Sequence, residues 1–167
     1  KSFWSIPGST LLGGVATSRD GSRTYVANTF LGATVWVLSG TTTIDRTWNV
    51  AQSVPGCLTG NCSITGLTTD ARGTLYAAVR RSSATGIAPG SFIASATKDG
   101  LPLAATDVTS QTSQITDVTW VPGANGGTVW VLGTNLVNPS PFNPFPTLSS
   151  YAIPAAASAS LVFLSRK

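Results

Sequence analysis

Two cysteines stand in Gly56-Cys57-Leu58-Thr59-Gly60-Asn61-Cys62. The short spacer contains a glycine, so the chain can turn back and bring the sulfurs together. The pair then reads either as a disulfide stapling a small loop or as two free thiols. A zinc site of soft ligands cannot be built from them, because the sequence has no histidine and no other cysteine. A disulfide implies an oxidising compartment, and with it a secreted, extracellular protein. Asn61-Cys62-Ser63 fits the Asn-x-Ser acceptor pattern and makes Asn61 the candidate glycosylation position, whereas Pro139 disqualifies Asn138-Pro139-Ser140.

The acids are all aspartates, Asp20, Asp45, Asp70, Asp99, Asp107 and Asp117. Without histidine, neither Ser-His-Asp nor Cys-His nucleophilic machinery can form within the chain. Paired-carboxylate hydrolysis would have to draw on two of these Asp residues. Asp20 falls in a turn and Asp70 at the end of an apolar run, so both read as turn formers that bind nearby amides. Asp117 differs, because it opens an alternating run at the place where Gly14 and Gly66 stand in two related runs. The net charge is +4, but the arginines are scattered, and only Arg80-Arg81 and Arg166-Lys167 are adjacent. A nucleic-acid surface needs a basic patch interleaved with aromatics, so none is expected. The apolar tail from Ala155 to Leu164 falls short of the roughly 20 residues that span a bilayer; it reads as a strand, and no membrane span is expected.

The elements that position these residues are strands. Glu is absent and Lys is confined to positions 1, 98 and 167, while Thr, Ser, Val, Gly and aromatics dominate. That choice favours short strands joined by polar turns. The run Gly14-Val15-Ala16-Thr17, the Asp20-Gly21 turn and Thr24-Tyr25-Val26-Ala27 make the signal of a tight β-hairpin. It returns as Gly66-Leu67-Thr68-Thr69 with Leu75-Tyr76-Ala77-Ala78, and again as Asp117-Val118-Thr119-Trp120 with Val129-Trp130-Val131-Leu132. Val15, Leu67 and Val118 recur at intervals of 52 and 51 residues, a regular period that marks a repeat architecture. A third run follows each hairpin (34–38, 91–94, 150–153), and then a more polar fourth (42–50, 101–108, 157–164). The reading is one all-β domain over 1–167, built from three four-stranded antiparallel propeller-type blades at about 10–55, 62–110 and 113–165. In each blade the inner strand is expected to be buried and the outer strand to meet water. Residues 1–8 read as the outer strand of a preceding blade. The proline-rich stretch from Asn135 to Thr147 reads as a stiff exposed loop.

Residues 14–28, a strand, an Asp-Gly turn and Thr24-Tyr25-Val26-Ala27-Asn28, resemble the blade consensus of YVTN and lactonase-like β-propellers. Ile64 to Asp70 with Gly73-Thr74-Leu75-Tyr76 is similar to NHL and gluconolactonase-like blades. The resemblance implies a propeller, and through its lactonase-like members a divalent cation such as calcium in the central channel. Asp117 is the candidate ligand there, although the chain lacks the Glu that would complete the set. Three blades do not close a ring of ordinary geometry. A piece of a longer propeller, a ring completed by a second copy, and a three-sheet sandwich are the open alternatives.

Trp36, Trp120 and Trp130 fall where a blade core needs bulk. Trp4 and Trp48 lie near polar outer-strand segments and are the candidates for a carbohydrate platform or an interface, together with Phe142 and Phe145 on the proline-rich loop. Unpaired edges at the terminal sheets favour association. The function read from the sequence is that of a secreted structural or binding protein, without a cofactor, which associates with itself, a partner chain or a glycan. The alternative is part of a lactonase- or hydrolase-type propeller enzyme.

Overall fold

The computed structural model describes residues 12–28, 33–40, 43–57, 60–135, 145–156 and 158–167, with the backbone alone at position 145. Trp4, Phe142 and the expected outer strand at 1–8 lie outside the described residues. The described chain is all-β, with three four-stranded antiparallel sheets, each a meander in chain order. The first contains β1 (Leu12–Thr17), β2 (Arg23–Asn28), β3 (Thr34–Ser39) and β4 (Thr43–Asn49). The second contains β5 (Cys62–Thr69), β6 (Leu75–Arg81), β7 (Gly90–Ala96) and β8 (Pro102–Asp107). The third contains β9 (Gln114–Val121), β10 (Thr128–Asn135), β11 (Phe145–Ala152) and β12 (Val162–Arg166). Among the described residues, no helix is long and apolar enough to cross a membrane.

The repeat extends to the irregularities of the sheets. Gly13, Thr65 and Thr116 are each skipped in the pairing of a sheet's first strand with its second. A bulge at the same place in every unit bends each first strand alike. Register also aligns the units, because Val15 pairs with Val26, Leu67 with Ala77 and Val118 with Val131.

The second sheet lies between the other two. Strand alternation sends Leu75, Ala77 and Val79 to one side and Tyr76 and Ala78 to the other. On the first side they meet Tyr25, Ala27, Val35, Val37 and Trp48 of the first sheet. On the second they meet Ile115, Val118, Val129, Val131 and Tyr151 of the third. The first strands hold the stack at one edge, where Thr69 Oγ1 donates to Thr17 O at 2.8 Å and Trp120 N donates to Thr68 Oγ1 at 3.1 Å.

Three expectations are corrected. The Asp20-Gly21 hairpin is wider than a two-residue turn: Ser18 N donates to Arg23 O and Gly21 N to Ser18 O, both at 2.9 Å. Asp20 Oδ1 holds the wider loop by accepting from Ser18 Oγ and from the Ser22 amide and hydroxyl. Burial does not fall steadily from first strand to fourth. β1 is largely exposed, whereas β6 and β7 are buried because neighbours cover both their faces and both their edges. Finally, β11 starts inside the proline-rich stretch, with Asn135 opposite Phe145 and Thr134 opposite Pro146. Pro146 is tolerated because it lies past the end of β12, where the edge of β11 has no partner strand among the described residues.

Candidate functional site

β10 alternates across the third sheet. Val129 and Val131 point into the core, so Trp130 and Leu132 point to the opposite face. Register sets Leu132 between Asp117 on β9 and Leu148 on β11, and Trp130 between Thr119 and Ser150. Asp117, Val118, Thr119, Trp130, Leu132 and Leu148 line a shallow hollow of about 210 Å³ on this face. Leu132 is 48% exposed and Leu148 37%. Trp130 is half-buried; its Nε1 donates to Thr128 Oγ1 at 2.9 Å, and Lys167 Nζ lies 6.0 Å from its ring centre. An apolar floor with one flanking carboxylate suits the burial of another apolar surface better than acid–base chemistry.

Asp117 stands at the rim of this hollow, exposed. Its Oδ1 accepts from the Val118 amide at 2.8 Å and occupies the notch that Gly66 leaves by having no side chain. Among the described residues, no group of three or more His, Cys, Asp or Glu side chains could hold a metal ion. Asp117 therefore gains no acidic cluster from the fold.

A second hollow, of about 360 Å³, lies at the turn end between the first two sheets, lined by Ser18, Arg19, Asp20, Ala71, Arg72, Gly73 and Lys98. Lys98 Nζ reaches Asp20 Oδ2 at 2.5 Å. That ammonium, with the Ser18 and Ser22 donors, holds the Asp20 carboxyl well below the usual carboxylate range. Arg23 bridges Asp45 at 2.8 Å and Asp99 at 3.1 Å, and chiefly through Asp99 its own pKa is raised. Tyr25 Oη donates to Lys98 O at 2.9 Å, and burial pushes the phenol up to about 12. Asp70 is buried and accepts from Arg72 N, Thr74 N and Tyr76 Oη at 2.9, 2.8 and 3.1 Å. Burial and this carboxylate raise the pKa of Tyr76. Asp20 and Asp70 are thus the turn formers that their sequence positions suggest, and their bonds fix turns.

Cys57 and Cys62 form a disulfide with their Cα atoms 5.6 Å apart. Asn61 Nδ2 donates to Gly56 O at 2.9 Å, bracing the same loop. Trp48 is 2% exposed and packs between the first and second sheets, which corrects the expectation of a solvent-facing platform. On β4 it is the one inward residue of an otherwise exposed strand. Phe145 contributes its backbone to β11 and does not belong to a loop. Trp130 is not the core residue expected; it lines the open hollow, which Leu132 and Leu148 complete. The signal available for Trp130 and Leu132 was the apolar run Val129-Trp130-Val131-Leu132, which places bulk on both faces of β10; Leu148 on β11 had none of this kind. No known protein-family model matches the chain, and no curated protein matches it in sequence.

Proposed function

We propose that the three sheets are blades of a partial propeller of the YVTN and lactonase-like kind, and that the chain is a secreted structural or binding protein that works by self-association. One observation carries this reading: the third sheet carries an exposed apolar face formed by Trp130, Leu132 and Leu148, at positions whose counterparts in the other two sheets are covered. A contiguous exposed apolar face of this kind marks a contact surface. The disulfide supports an oxidising location. A protein partner or a glycan, with glycosylation at Asn61, remains within the same reading.

Sedimentation velocity over a hundredfold range of protein concentration, repeated with chelator, tests it. A mass that rises with concentration and ignores chelator supports the binding role. A cation-dependent hydrolase is the second reading, and it rests on Asp117 at the rim of the hollow. It predicts calcium binding by calorimetry that Asp117→Asn abolishes.

A further inference from the structure

Asn61, Cys62 and Ser63 do two jobs in one triplet. They form an Asn-x-Ser glycan acceptor, and the middle residue is half of the Cys57–Cys62 disulfide. The folded chain holds all three in place. Cys62 and Ser63 open β5, where they pair with Arg81 and Arg80 of β6, and Cys62 is 4% exposed. The Asn61 carbonyl accepts from Ser82 N at 2.7 Å, and the Asn61 side chain donates from Nδ2 to Gly56 O at 2.9 Å, beside the disulfide. The other side of the loop is pinned too. Arg81 Nη1 donates to Pro55 O and its Nε to Ala88 O at 3.0 Å, and a Cβ placed on Gly56 would lie 3.1 Å from both Arg81 Nη1 and Ile87 Cγ2.

We propose that glycosylation of Asn61 and closure of the Cys57–Cys62 disulfide compete, so that the glycan is added only while the two cysteines are still apart; this rests on the secreted reading above. The transfer joins Asn61 Nδ2 to the anomeric carbon of an oligosaccharide carried on a lipid diphosphate. Nδ2 gives up one proton, and the lipid diphosphate leaves. Such a transfer needs the triplet as a free segment, because the transferase must reach Nδ2 and the Ser63 hydroxyl together. In the closed form Nδ2 is engaged and Ser63 is held in the ladder. Timing leaves both routes open. A chain grows by about 5–20 residues per second, so the two cysteines emerge within about a second of each other, whereas disulfide formation takes seconds or longer. The Asn61 bond to Gly56 lies on the exposed side of the loop, so a glycan added early has room. Nδ2 also keeps one hydrogen after the transfer, enough for the bond to Gly56 O. Both products therefore fold, and the ratio between them records how quickly the disulfide closed.

Expression in a glycosylating secretory host, read by intact mass before and after enzymatic deglycosylation, tests the competition. The wild-type chain should emerge as a mixture of bare and glycosylated forms, both with the disulfide closed. Cys57→Ser keeps the acceptor triplet and should raise the glycosylated fraction severalfold. Dithiothreitol present during synthesis should do the same for wild type, without any change of sequence. Ser63→Ala, which leaves both cysteines, should remove the glycan in every case. A glycosylated fraction that ignores both the reductant and Cys57→Ser, or a triplet that stays bare under both, would overturn the competition, while a closed disulfide in the exported chain leaves the secreted reading standing. Free Cys57 and Cys62 thiols in protein purified from its source cells, found by alkylation, would contradict that reading as well.

Discussion

Gly66→Ala isolates the packing of the first strands. The added Cβ would lie 2.1 Å from Asp117 Oδ1, 3.0 Å from Val118 N and 3.1 Å from Asp117 Cα. The carboxylate can swing aside, but the two backbone atoms belong to β9 and move only with the strand. Overpacking of this kind costs about 1–3 kcal/mol. Against it stands the gain of about 0.4–1 kcal/mol from a stiffer unfolded chain. The net is a loss of about 1–2 kcal/mol, which lowers the melting temperature by roughly 2–8 °C for a chain of this size. Gly14 is the matched control, since its nearest neighbours are at 3.5–3.7 Å, ordinary contact distance. Gly14→Ala should therefore be neutral or stabilising by up to about 1 kcal/mol. Urea unfolding of both variants, with Asp117→Ala added to each, gives a double-mutant cycle. Asp117→Ala should recover part of the loss at position 66 and none at position 14. Equal effects of the two glycine changes would refute the close approach of β5 and β9.

Asp70→Ala strands the buried Thr74 amide and the Tyr76 hydroxyl; it should cost about 2–4 kcal/mol, with Tyr76→Phe at about 1–2 kcal/mol, in denaturant unfolding. The reverse order would show that the phenol, and not the carboxylate, organises the turn. The folded-state pKa of Asp20 is depressed from 3.8, so its contribution is present above that value and is lost as pH falls toward the folded pKa. Melting curves from about pH 6 to about pH 2 should show the advantage of wild type over Lys98→Met shrinking below about pH 4; a constant difference would mean that the pair does not form in solution.

Much of the fold is legible in the sequence, and the reason is local. Val15, Leu67 and Val118 mark the first strands because alternation and turn residues act over a few positions, and those signals survive in the structure. The third and fourth strands are less legible. β11 runs through Pro146 because β12 does not reach that far along its edge, a fact that depends on where β12 ends. The tryptophans show the limit most clearly. Trp48 is surrounded in sequence by polar residues and sits in the core, while Trp130 is surrounded by valines and lines the open hollow. Alternation states that two faces differ; it does not state which one a neighbouring sheet covers. That is decided by the stacking order.

The mass of the native particle, followed across protein concentration for wild type and Leu132→Lys, bears most directly on the account. Self-association through the open face predicts a wild-type mass climbing from the 17.1 kDa of one chain to a multiple of it, while Leu132→Lys remains a single chain. A wild-type particle of one chain at every concentration, or a variant that assembles as wild type does, would contradict it.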